Sequence, residues 1–289
     1  MILFEKNIII SGASEGLGFE IAKHFIAEGA NVLLCARTEN RLLQALENLQ
    51  KRALPHTKIY TYVTDVSDPQ AVQAFIKFAL EKFTRIDVLV ANAGVYGPKG
   101  PVDETDWQAW SQAIDINLKG TVLQCLGVLP SFKAQRKGKI LILSGGGATQ
   151  PLPNLSAYAA SKTAVVRFAE TLAQEVKAFH IDVNCVAPGA LNTRLLDEII
   201  TAGPHKVGAT FYEKCLAQKA NGGTPFSVPT ALCSFLASNR SDNITGRLLS
   251  ALWDPWEKLA DLKDELADSD IYTLRRIVPQ DRQKTWAGA

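Results

Sequence analysis

The stretch that most constrains this chain begins at Asn7. Asn7-Ile8-Ile9-Ile10-Ser11 is a short apolar run rich in β-branched residues. Such a run reads as a strand buried on both faces. Gly12-Ala13-Ser14-Glu15-Gly16-Leu17-Gly18 follows without a break, and a helical pattern then runs from Phe19 to Glu28, closed by Gly29. Strand, glycine turn and helix in this order form a βα unit, which is also the context that a phosphate-binding loop requires. Glycines let the backbone approach a pyrophosphate closely, and the helix N-terminus offers free N–H groups and a partial positive charge. The spacing is G-x-x-x-G-x-G, not G-x-G-x-x-G, so a tight βα turn without a ligand stays open as an alternative.

The unit repeats along the chain. Strands are expected at Asn31–Ala36, Lys58–Val63, Asp87–Ala91, Lys139–Ser144, Asp182–Ala187 and Arg247–Leu252. Helices are expected at Thr38–Ala53, Pro69–Phe83, from Thr105 through Asn117 towards Phe132, from about Tyr158 to Phe179, and at Val228–Ala237. Alternation at this spacing implies right-handed βαβ crossovers and a parallel sheet. The predicted fold is α/β: a doubly wound three-layer sandwich around a mostly parallel seven-stranded sheet. Leu191 to Pro225 breaks the rhythm beyond the end of a strand, where long irregular segments often act as lids over a ligand. No internal repeat or linker divides the chain. The organisation expected is one domain over 1–253, with its lid at about 191–225, and a charged, tryptophan-containing extension over 254–289.

Composition excludes several classes. The 289 residues are 47% hydrophobic, enough for a sizeable core. Net charge is +2 with no basic run, so no nucleic-acid partner is expected. The N-terminus runs directly into a strand-like segment and lacks the features of a signal peptide. No apolar run approaches the ~20 residues of a membrane span, so no membrane partner is expected. Cys35, Cys125, Cys185, Cys215 and Cys233 are dispersed in apolar contexts and read as reduced core residues of a cytoplasmic protein. The four histidines show no metal-ligand spacing, and no metal is expected.

Tyr158-Ala159-Ala160-Ser161-Lys162 places a tyrosine and a lysine four residues apart, on one face of a helix. A free tyrosine titrates near pH ~10. An ammonium beside it favours the phenolate, which makes the pair a candidate proton donor and acceptor for alcohol/ketone interconversion.

Taken together, Ser11-Gly12-x-x-x-Gly16-x-Gly18, Asp65, Asn92-Ala93-Gly94, Asn117, Ser144, Tyr158-x-x-x-Lys162 and Pro188-Gly189 resemble the short-chain dehydrogenase/reductase family in its single-domain branch. The resemblance covers Asn7 to about Leu252 and implies a Rossmann-like fold and an NAD(P)-dependent oxidoreductase acting on CH–OH groups. It implies that Tyr158 exchanges a proton with the substrate oxygen, and that Lys162 lowers the tyrosine pKa and holds the nicotinamide ribose. Ser144 would bond the substrate carbonyl, and Asn117 would hold a water linking Lys162 to solvent. It also assigns cofactor contacts to Gly12, Ser14, Glu15, Gly16, Leu17, Gly18, Arg37, Asp65, Val66, Asn92, Ala93, Gly94, Pro188, Gly189, Leu191 and Thr193, besides Tyr158 and Lys162. Three departures stand out. The interval from Ser144 to Tyr158 is one residue longer than the commonest family spacing. A register with Gly145 at the serine position is therefore open, although Ser144-x-x-Gly147 fits the family turn better. Ser11 replaces a usual threonine. The extension after Trp253 is longer than most members carry.

Arg37 follows the second strand where NAD-preferring relatives usually place an aspartate at or next to Ala36. A guanidinium suits a 2′-phosphate, so NADP(H) is the expected cofactor with NAD(H) as the alternative. Glu15, in the glycine loop, is positioned to offset Arg37. The expected pocket walls are Val95–Pro101, Gly145–Ser156 and 191–225. They are small and apolar, with Lys99 and Arg194 isolated, and so fit a neutral small-molecule carbonyl or alcohol. The resemblance further implies a homodimer or homotetramer, with Val122, Leu123, Leu126, Val165, Val166 and Phe168 as contact candidates. The tail residues Trp253, Trp256, Ile271, Leu274 and Trp286 are expected to wrap a neighbour or cover the lid. Two other readings keep the fold: a non-catalytic cofactor-sensing partner, and a dehydratase or epimerase.

Overall fold

A computed structural model describes residues 1–285. Seven strands, β1 (Asn7–Ser11), β2 (Asn31–Ala36), β3 (Ile59–Val63), β4 (Val88–Ala91), β5 (Gly138–Leu143), β6 (Ile181–Ala187) and β7 (Arg247–Ser250), form one sheet in the order β3-β2-β1-β4-β5-β6-β7. Every neighbouring pair is parallel, because every strand is reached through a helical crossover. The sheet is thus wholly parallel.

Alternation along the strands explains why they read as continuous apolar runs. Ile8 and Ile10 enter one core layer, while Ile9, between them, enters the other. The first layer packs under α1 (Gly16–Ala27), α2 (Glu39–Gln50) and α10 (Ser227–Ala237), through residues such as Phe25, Leu42 and Phe235. The second lies under α3 (Pro69–Phe83), α5 (Gly120–Gln135) and α6 (Ser156–Val176), through Phe75, Phe132 and Val165. All five cysteines are buried free thiols. No helix among the described residues is long and apolar enough to cross a membrane.

The long helix expected from Thr105 is divided. Asp106 caps α4 (Trp107–Ile114) by accepting from the Ala109 N–H at 2.7 Å. A π-helical turn spans Asp115–Lys119 before α5 begins. Such a turn inserts one extra residue into the helical ladder and is frequent at functional sites. The 191–225 segment is more helical than its composition suggests: α7 (Arg194–Ala202), α8 (Pro204–Val207) and α9 (Ala209–Asn221).

The C-terminal extension returns beside the last strand. After a turn at Trp256–Lys258 and α11 (Lys263–Ala267), the chain returns along β7, and the Leu248 N–H donates to Tyr272 O at 2.8 Å. The Arg247 guanidinium, 7% exposed, donates to carbonyls of Ser269 and Ile271 at 2.8 and 2.7 Å, and to that of Leu266. Trp256 packs on Phe235. Of the tail residues noted in the sequence, Trp286 lies outside the described residues.

Candidate active site

Strand order reverses between β1 and β4: the chain runs outward through β2 and β3, then returns to the far side of β1. The crevice beyond strand ends at such a switch point is where doubly wound sheets bind ligands. Here the crevice opens into a cavity of about 850 Å³. It brings together every residue assigned above to cofactor or chemistry except Gly18 and Asn117, which stand behind its wall.

The glycine loop has no spare room. Gly12 has φ +62°, and a Cβ there would lie 2.8 Å from Ala93 Cα. A Cβ on Gly18 would lie 2.5 Å from both Gly12 O and Asn92 Nδ2. Asn92 locks this approach by donating to Ser11 O and Gly12 O at 2.9 and 3.0 Å. Ser11 keeps a hydroxyl role: its Oγ accepts from the N–H groups of Asn92 and Ala93, both at 3.2 Å. Glu15 stands at the N-cap of α1 without a side-chain capping bond, and the first turn holds no acid. The first N–H groups of α1 are therefore left for an anion. This bare cradle fits the diphosphate of a dinucleotide.

Just beyond β3, Asp65 Oδ1 accepts from Ser67 N–H at 2.9 Å and from Ser67 Oγ at 2.6 Å. Burial pushes the carboxyl up, but the Ser67 bonds and the Arg37 guanidinium outweigh it and hold Asp65 below its ordinary range. Glu15 does not pair with Arg37. Its Oε1 takes Arg41 at 3.0 Å and Arg194 at 2.8 Å. Arg41 also lines the cavity. The sequence reading missed it, although it stands four residues beyond Arg37.

Behind the Tyr158 side of the cavity, the π turn carries Asn117 inward and leaves it fully buried. Asn117 Nδ2 donates to Val95 O at 2.8 Å and to Ser161 Oγ at 2.9 Å, and Oδ1 accepts from Val95 N at 2.8 Å. Both amide protons are spent on fastening the loop after β4 to α6, so this side chain braces the site. Lys162 Nζ donates to Leu143 O at 2.7 Å and lies 5.8 Å from the Tyr158 ring centroid.

Two expectations need correction. In the chain alone, Lys162 does not acidify Tyr158. Burial, reinforced by Tyr96, pushes the phenol up, and burial pulls the Lys162 ammonium down to about 8. Desolvation is the largest cause of both shifts.

The second correction concerns Ser144. Ile140 and Ile142 point into the layer under α5 and α6, and Ser144 follows them in the alternation. Its Oγ is buried without a hydrogen-bond partner. Gly145 is extended, at φ −175°, and so turns the opposite way. A Cβ there would lie 2.2 Å from Tyr158 Oη. Gly145, not Ser144, faces the phenol, and the Ser144 hydroxyl is not presented to the reacting position.

The buried lysine gives a pH signature. Between about 8 and the ordinary 10.5, the unfolded chain holds more protons at Lys162 than the folded one. The penalty of burying the ammonium is complete below pH 8 and is relieved as pH rises through that window. Lys162→Met should melt above the wild type at pH 7, with the gap closing towards pH 10.5. A gap that is constant with pH in calorimetry would refute the assignment.

Expected wall residues Val95, Tyr96, Leu152, Leu191, Leu195, Leu196 and Phe211 line the cavity, whereas Leu155 is buried in a satellite cluster beside it. Lys99 and Arg194 are not isolated: both pair with Glu198, at 3.4 and 2.6 Å. The sequence reading also missed Trp253, Asp254, Tyr272 and Thr273 as cavity residues.

Comparison with known proteins agrees with this architecture. A family model for short chain dehydrogenases matches residues 6–202. Dehydrogenase/reductase SDR family member 7B of Xenopus laevis is 31% identical over 248 residues, covering 85% of this chain and 75% of that protein. The 3-oxoacyl-[acyl-carrier-protein] reductase FabG of Chlamydia muridarum is 32% identical over 251 residues, covering 86% and 96%. The crystal structure of levodione reductase superposes with a TM-score of 0.79 at 26% identity, covering 86% of this chain and 96% of that one. With a Rossmann-like sheet, a bare glycine cradle and a Tyr158/Lys162 pair in one cavity, the chain belongs to the short-chain dehydrogenase/reductase family.

Proposed function

We propose that this chain is an NAD(P)-dependent oxidoreductase that interconverts a carbonyl and a secondary alcohol, with Tyr158 as the acid/base. The observation that carries the reading is the sharing of one cavity by an uncapped glycine loop and the Tyr158 phenol, with the buried Lys162 beside it. A bound nicotinamide cofactor would supply or accept the hydride. Gly12 to Gly18 and the α1 N-terminus would hold its diphosphate, Asp65 would meet the adenine end, and Thr193, whose methyl would lie 3.6 Å from a Cβ on Gly16, lines the cavity beside the glycine loop. Tyr158, held protonated at neutral pH, donates to the substrate oxygen as the carbonyl is reduced. Lys162, anchored on Leu143 O, orients the ribose beside it. With the Ser144 hydroxyl turned away, Tyr158 is the side-chain donor that this loop leaves facing the substrate. The test is consumption of reduced cofactor against a carbonyl panel; no turnover of any ketone or aldehyde would sink the reading.

NADP(H) is the preferred cofactor in this reading. The second strand ends without an acid, and Arg37 and Arg41 both line the adenosine end. Glu15 is occupied by Arg41 and Arg194, which leaves Arg37 clear for a 2′-phosphate. Charge-assisted bonds are worth about 1.5–3 kcal/mol, so Arg37→Ala should weaken NADPH binding on the order of tenfold to a hundredfold, with NADH nearly unchanged. Equal titration curves for wild type with the two cofactors would overturn this preference.

A further inference from the structure

The cavity has lining residues that the dehydrogenase reading does not use. Trp253 and Asp254 leave the end of β7, Tyr272 and Thr273 return beside it, and all four line the cavity that holds Tyr158. The return is firmly built. Arg247 commits its guanidinium to three carbonyls of the extension. Glu170, also buried, accepts from the Leu274 N–H at 2.6 Å. Buried charges must be paired to be tolerated, and these two are paired with the segment that carries Tyr272 and Thr273. Tyr272 itself has φ +62°, a conformation that non-glycine residues rarely adopt.

The chemistry of these four residues is selective. Trp253 is 82% exposed, so its indole is not there to fill a core. Asp254 Oδ2 accepts from the Ser250 N–H at 2.7 Å, and no described residue donates to its Oδ1. Thr273 Oγ1 donates to Asp270 O at 2.6 Å and keeps its lone pairs. Of the cations that line the cavity, Arg194 is taken by Glu198, and Arg37 and Arg41 stand at the end assigned above to the 2′-phosphate. A phosphate or carboxylate beside Trp253 and Thr273 would face Asp254. An alkyl chain would strip water from Asp254 and Thr273 without replacing it. A neutral ring with C–H faces for the aromatic residues and hydroxyls for Asp254 and Thr273 satisfies every group.

We propose that the C-terminal extension forms a subsite for a neutral, polyhydroxylated ring, so that the substrate is a sugar-like ketone or alcohol. This rests on Tyr158 marking the reacting end of the cavity. The test compares a methyl hexopyranosidulose with cyclohexanone, using NADPH, in wild type, Trp253→Ala and Thr273→Val. Each variant should lower kcat/KM for the keto-sugar roughly tenfold or more and leave cyclohexanone within about twofold, since a site built around substrate hydroxyls discriminates through them. A parallel calorimetric titration puts methyl glucoside into cofactor-loaded Tyr158→Phe with and without Trp253→Ala. Binding that needs Trp253 supports the subsite even if neither ketone is reduced, in which case only the oxidoreductase reading fails. Turnover of both ketones unaffected by Trp253→Ala and Thr273→Val overturns the subsite and leaves the oxidoreductase reading standing. Absence of both keto-sugar turnover and glucoside binding also overturns it.

Discussion

Tyr158→Phe should bind cofactor as the wild type does and lose turnover by roughly 10²–10⁴-fold, the range that a positioned proton donor supplies. The ring would remain packed 4.6 Å from that of Tyr96, so the cavity wall survives. The oxygen alone is lost, and no serine hydroxyl is presented beside it to take over. Single-turnover oxidation of bound reduced cofactor isolates the step, and cofactor fluorescence reports binding separately. A phenylalanine variant with wild-type rates would end the assignment of Tyr158 as the acid. A variant with normal rates but weak cofactor binding would also contradict it, because the phenol would then be a binding group.

Gly18→Ala should remove cofactor binding and also weaken the fold. The added methyl would meet Gly12 O and Asn92 Nδ2 at 2.5 Å, and the first of these is backbone. Nothing there can swing aside without moving β1 or breaking the Asn92 clamp between the β1 and β4 ends. Overpacking of this kind costs about 1–3 kcal/mol, or a fall of about 2–4 °C in Tm for each kcal/mol in chains of somewhat smaller size. The displaced loop would no longer aim the α1 N–H groups at a diphosphate. Calorimetric titration of NADPH together with a thermal melt tests both effects. Unchanged affinity would show that the loop approach is not what makes the cradle.

The sheet was largely legible because each strand is buried on both faces and so shows as an unbroken apolar run, as Ile8, Ile9 and Ile10 do. The glycine cradle was legible because close backbone approach demands a residue type. Other features depend on quantities that spacing does not carry. The helical pattern is continuous through Asp115–Lys119, so the inserted residue that turns Asn117 inward left no trace in it. A fourteen-residue interval does not tell where a loop absorbs its extra residue; strand alternation decided it in favour of Gly145 over Ser144. The i,i+4 spacing of Tyr158 and Lys162 predicts their nearness but not their burial, which reverses the expected sign of the tyrosine shift. The Glu15–Arg194 pair joins residues far apart in the chain, and the contacts of Arg247 depend on a tail path that no local pattern specifies.

The return of the extension along β7 also bears on solubility. A bare outer strand is a template on which other chains can add, and sheets that grow from edge to edge become aggregates. The bond from the Leu248 N–H to Tyr272 O covers part of that edge at one end, and β3 is the terminal strand at the other. The segment that shapes the cavity thereby also occupies an edge donor of β7 that another chain would otherwise use.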